Sequence, residues 1–167
     1  MRAALAALAV AGLVGADAPT IVPWTGIGSI RLGMNRVAVD ASYGRPSATE
    51  RIHLQAGTRY WRRTVLDATY AVPHGTIVVR YVDGVARAAT TTSPRYRTPT
   101  GIRVGLVTPR TTRWRGFIFL DCTRAWYLER GSTVIQLFLD RDPVVQRSRP
   151  RITAIQFGAS DALLPCF

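Results

Sequence analysis

Ile30-Arg31-Leu32-Gly33-Met34 returns later in the chain as Ile102-Arg103-Val104-Gly105-Leu106, and the reading of this pair decides the fold. Two copies of one glycine-bearing apolar pentapeptide within 167 residues point to a small unit used twice, because such a unit buries its apolar face only against a neighbour. The residues downstream of each copy agree. After the first, Asn35 can cap a helix over 36–43 on which Val39 and Tyr43 share a face, and Gly44 and Pro46 stop it. After the second, Thr108 can cap and Pro109 can open a short helix that ends at Gly116, as far from its pentapeptide as Gly44 is from the first.

Strand signals come after the helix signals. In 64–72 the residues Leu66, Ala68, Tyr70 and Val72 alternate onto one face, Pro73-His74-Gly75 turns the chain, and 76–82 alternates again. Asp83-Gly84 is the strongest hairpin signal and predicts that 85–91 pairs back. Residues 47–62 are ambiguous between a helical turn and a loop. In the second half, strands are expected at 123–130, 133–139 and 151–157, with Gly131-Ser132 as a turn and a long loop over 141–150. Aligning Thr133 with Thr76 leaves Gln136 opposite Val79 and Leu137 opposite Arg80, so the polar position changes face; a bulge, or a strand apolar on both faces, would account for this. The expected fold class is α+β, in two tandem units, 26–98 and 99–167. Each would set short helices on a three- to four-stranded antiparallel sheet.

The first sixteen residues carry Arg2 ahead of an apolar run, Ala3 to Gly15, too short to span a bilayer, and read as a secretory signal ending at Ala16 or Ala18. Residues 17–25 then form a linker, and no transmembrane span is expected once the signal is removed. Cys122 and Cys166 fit an oxidising compartment and predict a disulfide, which would stabilise by roughly 4 kcal/mol in the chain-entropy model. The expected location is secreted or in the cell envelope. The basic residues, 22 in all, are every one arginine, giving a net charge of +12 spread over both halves. Such a field favours anionic partners outside the membrane. Two isolated cysteines and two histidines have no metal-ligand spacing, and no metal or other cofactor is expected.

Gly33-Met34, Val39, Gly44 and Pro46 resemble, in type and spacing, the motif of the small outer-membrane-assembly lipoprotein family, the SmpA/OmlA or BamE type. The tandem arrangement resembles the β-lactamase-inhibitor proteins secreted by actinomycetes. The resemblance implies helices packed on antiparallel sheet and function through protein contacts. Gly33, Met34, Val39, Gly44, Pro46, Gly105 and Gly116 then serve as structural motif residues, shaping helix entry and exit or filling space above the sheet.

Candidate partner-binding residues come from the basic and aromatic cluster Tyr60, Trp61, Arg62 and Arg63, with Trp114 in its echo Arg113-Trp114-Arg115. Nucleic acid is not the expected partner of an exported chain. His53 and His74 are isolated, Asp140 and Asp142 read as turn residues, and no nucleophile elbow or paired-carboxylate signature is present, so no catalytic residue is assigned. The expectation is a non-catalytic binding protein that recognises a protein or an anionic envelope component through its sheet face and loops. The alternative is a small secreted enzyme acting on a cell-wall or other extracellular substrate.

Overall fold

The alternation Leu66, Ala68, Tyr70, Val72 becomes β5 (Val65–Val72) in the computed structural model, which describes residues 20–53, 62–145 and 149–162. Pro73-His74 turns the chain into β6 (Gly75–Val82), and Asp83-Gly84, with φ of 51° and 80°, turns it into β7 (Val85–Thr91). Positive φ at both turn residues gives the primed geometry that matches the twist of paired strands. On the outer side of β5 lies β4 (Ala48–Ile52), within the stretch whose sequence is ambiguous. A second antiparallel meander holds β9 (Phe117–Leu120), β10 (Ala125–Arg130), β11 (Thr133–Leu139) and β12 (Ile152–Ala159), with the two-residue β8 (Arg113–Trp114) at its edge.

The two meanders form one sheet. β7 and β12 pair antiparallel through Ala88↔Gly158, Ala89↔Phe157, Thr90↔Gln156 and Thr91↔Ile155, giving the nine-stranded order β4-β5-β6-β7-β12-β11-β10-β9-β8. Here a Cβ on Gly158 would lie 2.5 Å from the Ala88 Cβ and 2.8 Å from the Arg87 carbonyl oxygen, so the junction closes only around a residue without a side chain. A separate three-stranded sheet of β1 (Ile21–Val22), β2 (Gly26–Ile27) and β3 (Ile30–Arg31) supplies Ile21, Ile27 and Ile30 to the same core. The stretch expected as a linker at 17–25 thus carries β1 in its described part.

The expected α+β fold of two tandem helix-on-sheet units is therefore corrected to a mostly β fold. Among the described residues there is one α-helix, α1 (Arg36–Tyr43), capped by the Asn35 side chain, which accepts from the Ala38 amide at 2.9 Å. Val39 is its buried residue, and Gly44 comes next at φ 79°. The second expected helix, ending at Gly116, does not form. The Thr108 hydroxyl lies 3.4 Å from the Trp126 indole nitrogen and its amide donates to the Pro150 carbonyl, so it caps nothing. Thr111, Thr112 and Trp114 are poor helix formers, and Arg115 and Gly116, at φ 50° and 84°, make a primed turn joining β8 to β9.

The two pentapeptides do act alike, as corners. At Gly33 (φ 90°) the amide donates to the Ala86 carbonyl and the Met34 carbonyl accepts from the Ala86 amide. At Gly105 (φ 83°) the amide donates to the Ile152 carbonyl and the Leu106 carbonyl accepts from the Ile152 amide. Each corner needs a left-handed backbone that glycine adopts without steric cost, and each docks its chain on the start of a central strand. Met34 and Leu106 pack against the core beside them.

Register also settles the polar residue that seemed to change face. Counted from the hairpin turns, Thr133 corresponds to Gly75, not to Thr76, so Gln136 matches Val78 and Leu137 matches Val79. A slip of one residue inverts every side chain of a strand. Both strands also bulge at the matching step, Arg80/Tyr81 in β6 and Phe138/Leu139 in β11. One face of the long sheet presents Ala68, Tyr70, Ile77, Val79, Phe157, Leu137, Ile135 and Trp126 to the main core, together with the small sheet and α1.

Candidate functional site

Tyr70 shows how the first half of that face is closed. Its hydroxyl donates to the Asp40 carboxylate of α1 at 2.7 Å and lies 3.1 Å from the Tyr81 hydroxyl, while the Tyr43 ring packs on it at 6.0 Å between centroids. Asp40 as a carboxylate only accepts, so Tyr70 donates to it and Tyr81 donates to Tyr70. Burial, together with the hydrogen bonds to Tyr81 and Asp40, pushes the Tyr70 phenol well above its ordinary range. Burial also raises Tyr81. These are protonated phenols that hold the helix to the sheet.

Leu128 stands at the matching place in the second half, two residues before the end of its strand as Tyr70 is. No helix covers it. A cleft of about 530 Å³ opens there instead, with Leu128, Ile135, Leu137 and Phe117 of the sheet as its floor. Pro23 and Trp24, from the turn between β1 and β2, and Thr98, Thr100 and Ile102, from the connection after β7, form the opposite wall. Its volume falls within the range of small-molecule sites, and its lining is predominantly apolar.

Among the described residues Arg115 is the charged one of this lining, and no acidic residue lines it. Held in the β8–β9 turn, its guanidinium carbon stands 5.2 Å from the Trp114 ring centre, and Nη1 donates to the Thr100 carbonyl at 3.3 Å. Trp114 in turn packs on Trp126 and Phe117, at 6.2 and 6.4 Å between centroids, so the cation stands on a rigid aromatic stack. Trp24, on the opposite wall, has φ 72°, a left-handed conformation that is strained for a bulky side chain. Strain of this kind costs about 1–3 kcal/mol and gathers at ligand clamps.

The candidates from the sequence are dispersed. Tyr60 and Trp61 lie outside the described residues. Arg62 is exposed before β5, and Arg63 pairs with Asp83 at the β6–β7 turn. Trp114 sits on β8, at the far edge of the sheet from β4 and β5, so the structure does not join it to Arg62 and Arg63. Pro46 comes after α1 in the bend before β4, and Gly116 belongs to the hairpin beside the cleft. Cys166 lies outside the described residues, and the expected bridge to it is not seen among them; Cys122, in the 3-10 turn Asp121–Thr123, is not a free thiol. His74 is exposed in the β5–β6 turn and His53 is exposed just after β4. Asp140 pairs with Arg141 and accepts from the Arg151 amide, contacts that outweigh its partial burial and hold its carboxyl below the ordinary range. Asp142, held low by the Val145 and Val144 amides, organises the loop after β11.

Sequence reasoning missed Trp24, Ile102, Phe117, Leu128, Ile135 and Leu137 as a group. Each reads as core or linker on its own strand, and the cleft forms only when separate segments meet. The Arg113-Trp114-Arg115 echo was the one local signal, and its useful member is the turn arginine.

No family model and no curated protein sequence matches the chain. Among solved structures it resembles a cysteine-rich secretory protein from Staphylococcus aureus, at TM-score 0.53 and 10% identity over 87% of this chain and 50% of that one. It also resembles an extracellular protein containing an SCP domain from Bacillus anthracis, at TM-score 0.50 and 11% identity over 78% of this chain and 44% of that one. The uncharacterized protein yfeY from Escherichia coli matches at TM-score 0.50 and 13% identity, over 80% of this chain and 96% of that one. The chain spans half or less of the first two proteins. These likenesses describe the fold, and they overturn the resemblance to the BamE-type lipoproteins and the tandem β-lactamase inhibitors. The continuous nine-stranded sheet is the physical reason: a motif shared at one glycine corner says little about which strands pair.

Proposed function

We propose that this chain is a non-catalytic, extracytoplasmic binding module whose binding element is the apolar cleft between the small sheet and the β9–β11 floor. The observation that carries the reading is the open cleft over Leu128, at the strand position that α1 covers in the first half. An apolar group entering it would remove the exposed parts of Pro23, Trp24 and Leu128 from water, at about 25 cal/mol per Å². The secretory-type leader at 1–16 supports the extracytoplasmic reading. So does the fold likeness to an extracellular protein of Bacillus anthracis and a cysteine-rich secretory protein of Staphylococcus aureus.

The test is a titration with the neutral apolar fluorophore N-phenyl-1-naphthylamine. Wild type should show saturable fluorescence enhancement, and Leu128→Trp, which fills the cleft from its floor, should lose it while retaining the far-ultraviolet circular dichroism of a folded sheet. Equal enhancement in both proteins would place the probe elsewhere and remove the basis of the reading.

A further inference from the structure

We infer that the cleft selects a single-chain amphiphile with an anionic head, the tail lying over Leu128 and against Pro23 and Trp24, and the head paired with Arg115. This rests on the binding reading above and adds the ligand class.

Three observations carry it. Among the described residues the charge of the lining is positive, from Arg115, with no carboxylate to repel an anion or to neutralise the cation from within. Next, Arg115 is positioned but not neutralised. It stacks on Trp114 and gives a hydrogen bond to the Thr100 carbonyl, and no carboxylate pairs with it among the described residues. A guanidinium has five N–H donors in a planar fork suited to carboxylate or phosphate. Finally, the other polar side chains of the lining are already engaged. The Thr98 and Thr100 hydroxyls lie 3.0 Å apart, and Thr98 Oγ1 accepts from the Ile102 amide at 3.0 Å. A polar head therefore has one strong partner here, and it is cationic. A cationic head would meet repulsion, and a neutral head would gain little from an arginine already in contact with water. The chain's net charge of +12 adds a long-range field of the same sign.

The experiment is displacement of N-phenyl-1-naphthylamine from the full chain by three ten-carbon probes below their micellar concentrations: decanoate, decanol and decyltrimethylammonium. Decanoate should displace at about tenfold lower concentration than decanol, the effect of one charge-assisted hydrogen bond at a partly wet site, and decyltrimethylammonium should be weakest. Arg115→Gln, with each probe read against that variant's own fluorophore affinity, should bring decanoate to the level of decanol. Arg115→Lys, which keeps the charge, should retain the preference. Added salt should weaken decanoate alone. If the fluorophore binds in the cleft but the three probes displace it equally, the anion selectivity is overturned and the apolar binding reading survives. The same holds if Arg115→Gln leaves the decanoate preference intact. Failure of wild type to bind the fluorophore at all overturns both.

Discussion

Gly33 and Gly105 carry the same burden in the two corners, each at a φ near 90° with its amide bonded to a central strand. Space is not the constraint, since nothing lies within 4 Å of where a Cβ would stand on either. Conformation is. An L-residue in the left-handed region loses about 1–2 kcal/mol. Gly33→Ala and Gly105→Ala should therefore each destabilise by about that amount in urea unfolding, whereas Gly33→Asn should lose less because asparagine tolerates this region. Equal losses for alanine and asparagine would show that conformation is not what these positions require. The corners were legible because glycine in an apolar pentapeptide is a local signal. At Trp24 and Arg115 the opposite holds: both have positive φ without being glycine, and no sequence pattern marks a conformation imposed by the neighbours.

At the scale of elements, α1 is fastened through buried phenols, and this sets an alkaline limit on stability. Tyr70 stays protonated in the fold well above the ordinary phenol value of 10.0, and Tyr81 is raised as well, mainly because burial disfavours the phenolate. In the unfolded chain they release their protons near pH 10, so the unfolded state then binds fewer protons and stability falls as pH rises further. Below pH 10 their contribution is complete. Urea midpoints should accordingly drop between pH 9 and pH 11, and Tyr70→Phe should drop less steeply, while costing about 1 kcal/mol at neutral pH from the lost bond to Asp40. The slope should not vanish, because Tyr96 is also raised and Tyr127 is pushed up to about 12, both chiefly by burial. A profile as steep in Tyr70→Phe as in wild type would assign the alkaline limit to other groups. The hairpins around Tyr70 were readable from period two and turn chemistry, which are short-range. β4, β8 and β9 were not, being short strands whose pairing comes from the sheet. Pro109 and Gly116 look like helix punctuation and predict the second helix, but Arg115-Gly116 serves as a hairpin turn.

Across the whole molecule, the pairing of β7 with β12 decides whether the chain is two domains or one. It joins strands far apart in sequence and has no local signature, so a reading from repeats divides the chain where the structure continues it. The main core runs without a break from Ile21 and Tyr70 through Phe157 to Trp126, drawing on both meanders and the small sheet. A core shared in this way should melt once. Calorimetry and near-ultraviolet circular dichroism should report a single coincident transition, because neither half keeps its buried face without the other. Gly158→Val tests the same point at the seam. Its side chain would enter space occupied by Ala88 and the Arg87 carbonyl, an overpacking that costs about 1–3 kcal/mol. If the sheet is one cooperative unit, the variant lowers the midpoint of the one transition and leaves it single. Two separated transitions, in wild type or released by Gly158→Val, would instead show that 26–98 and 99–167 fold independently and that the β7–β12 seam is an interface between domains.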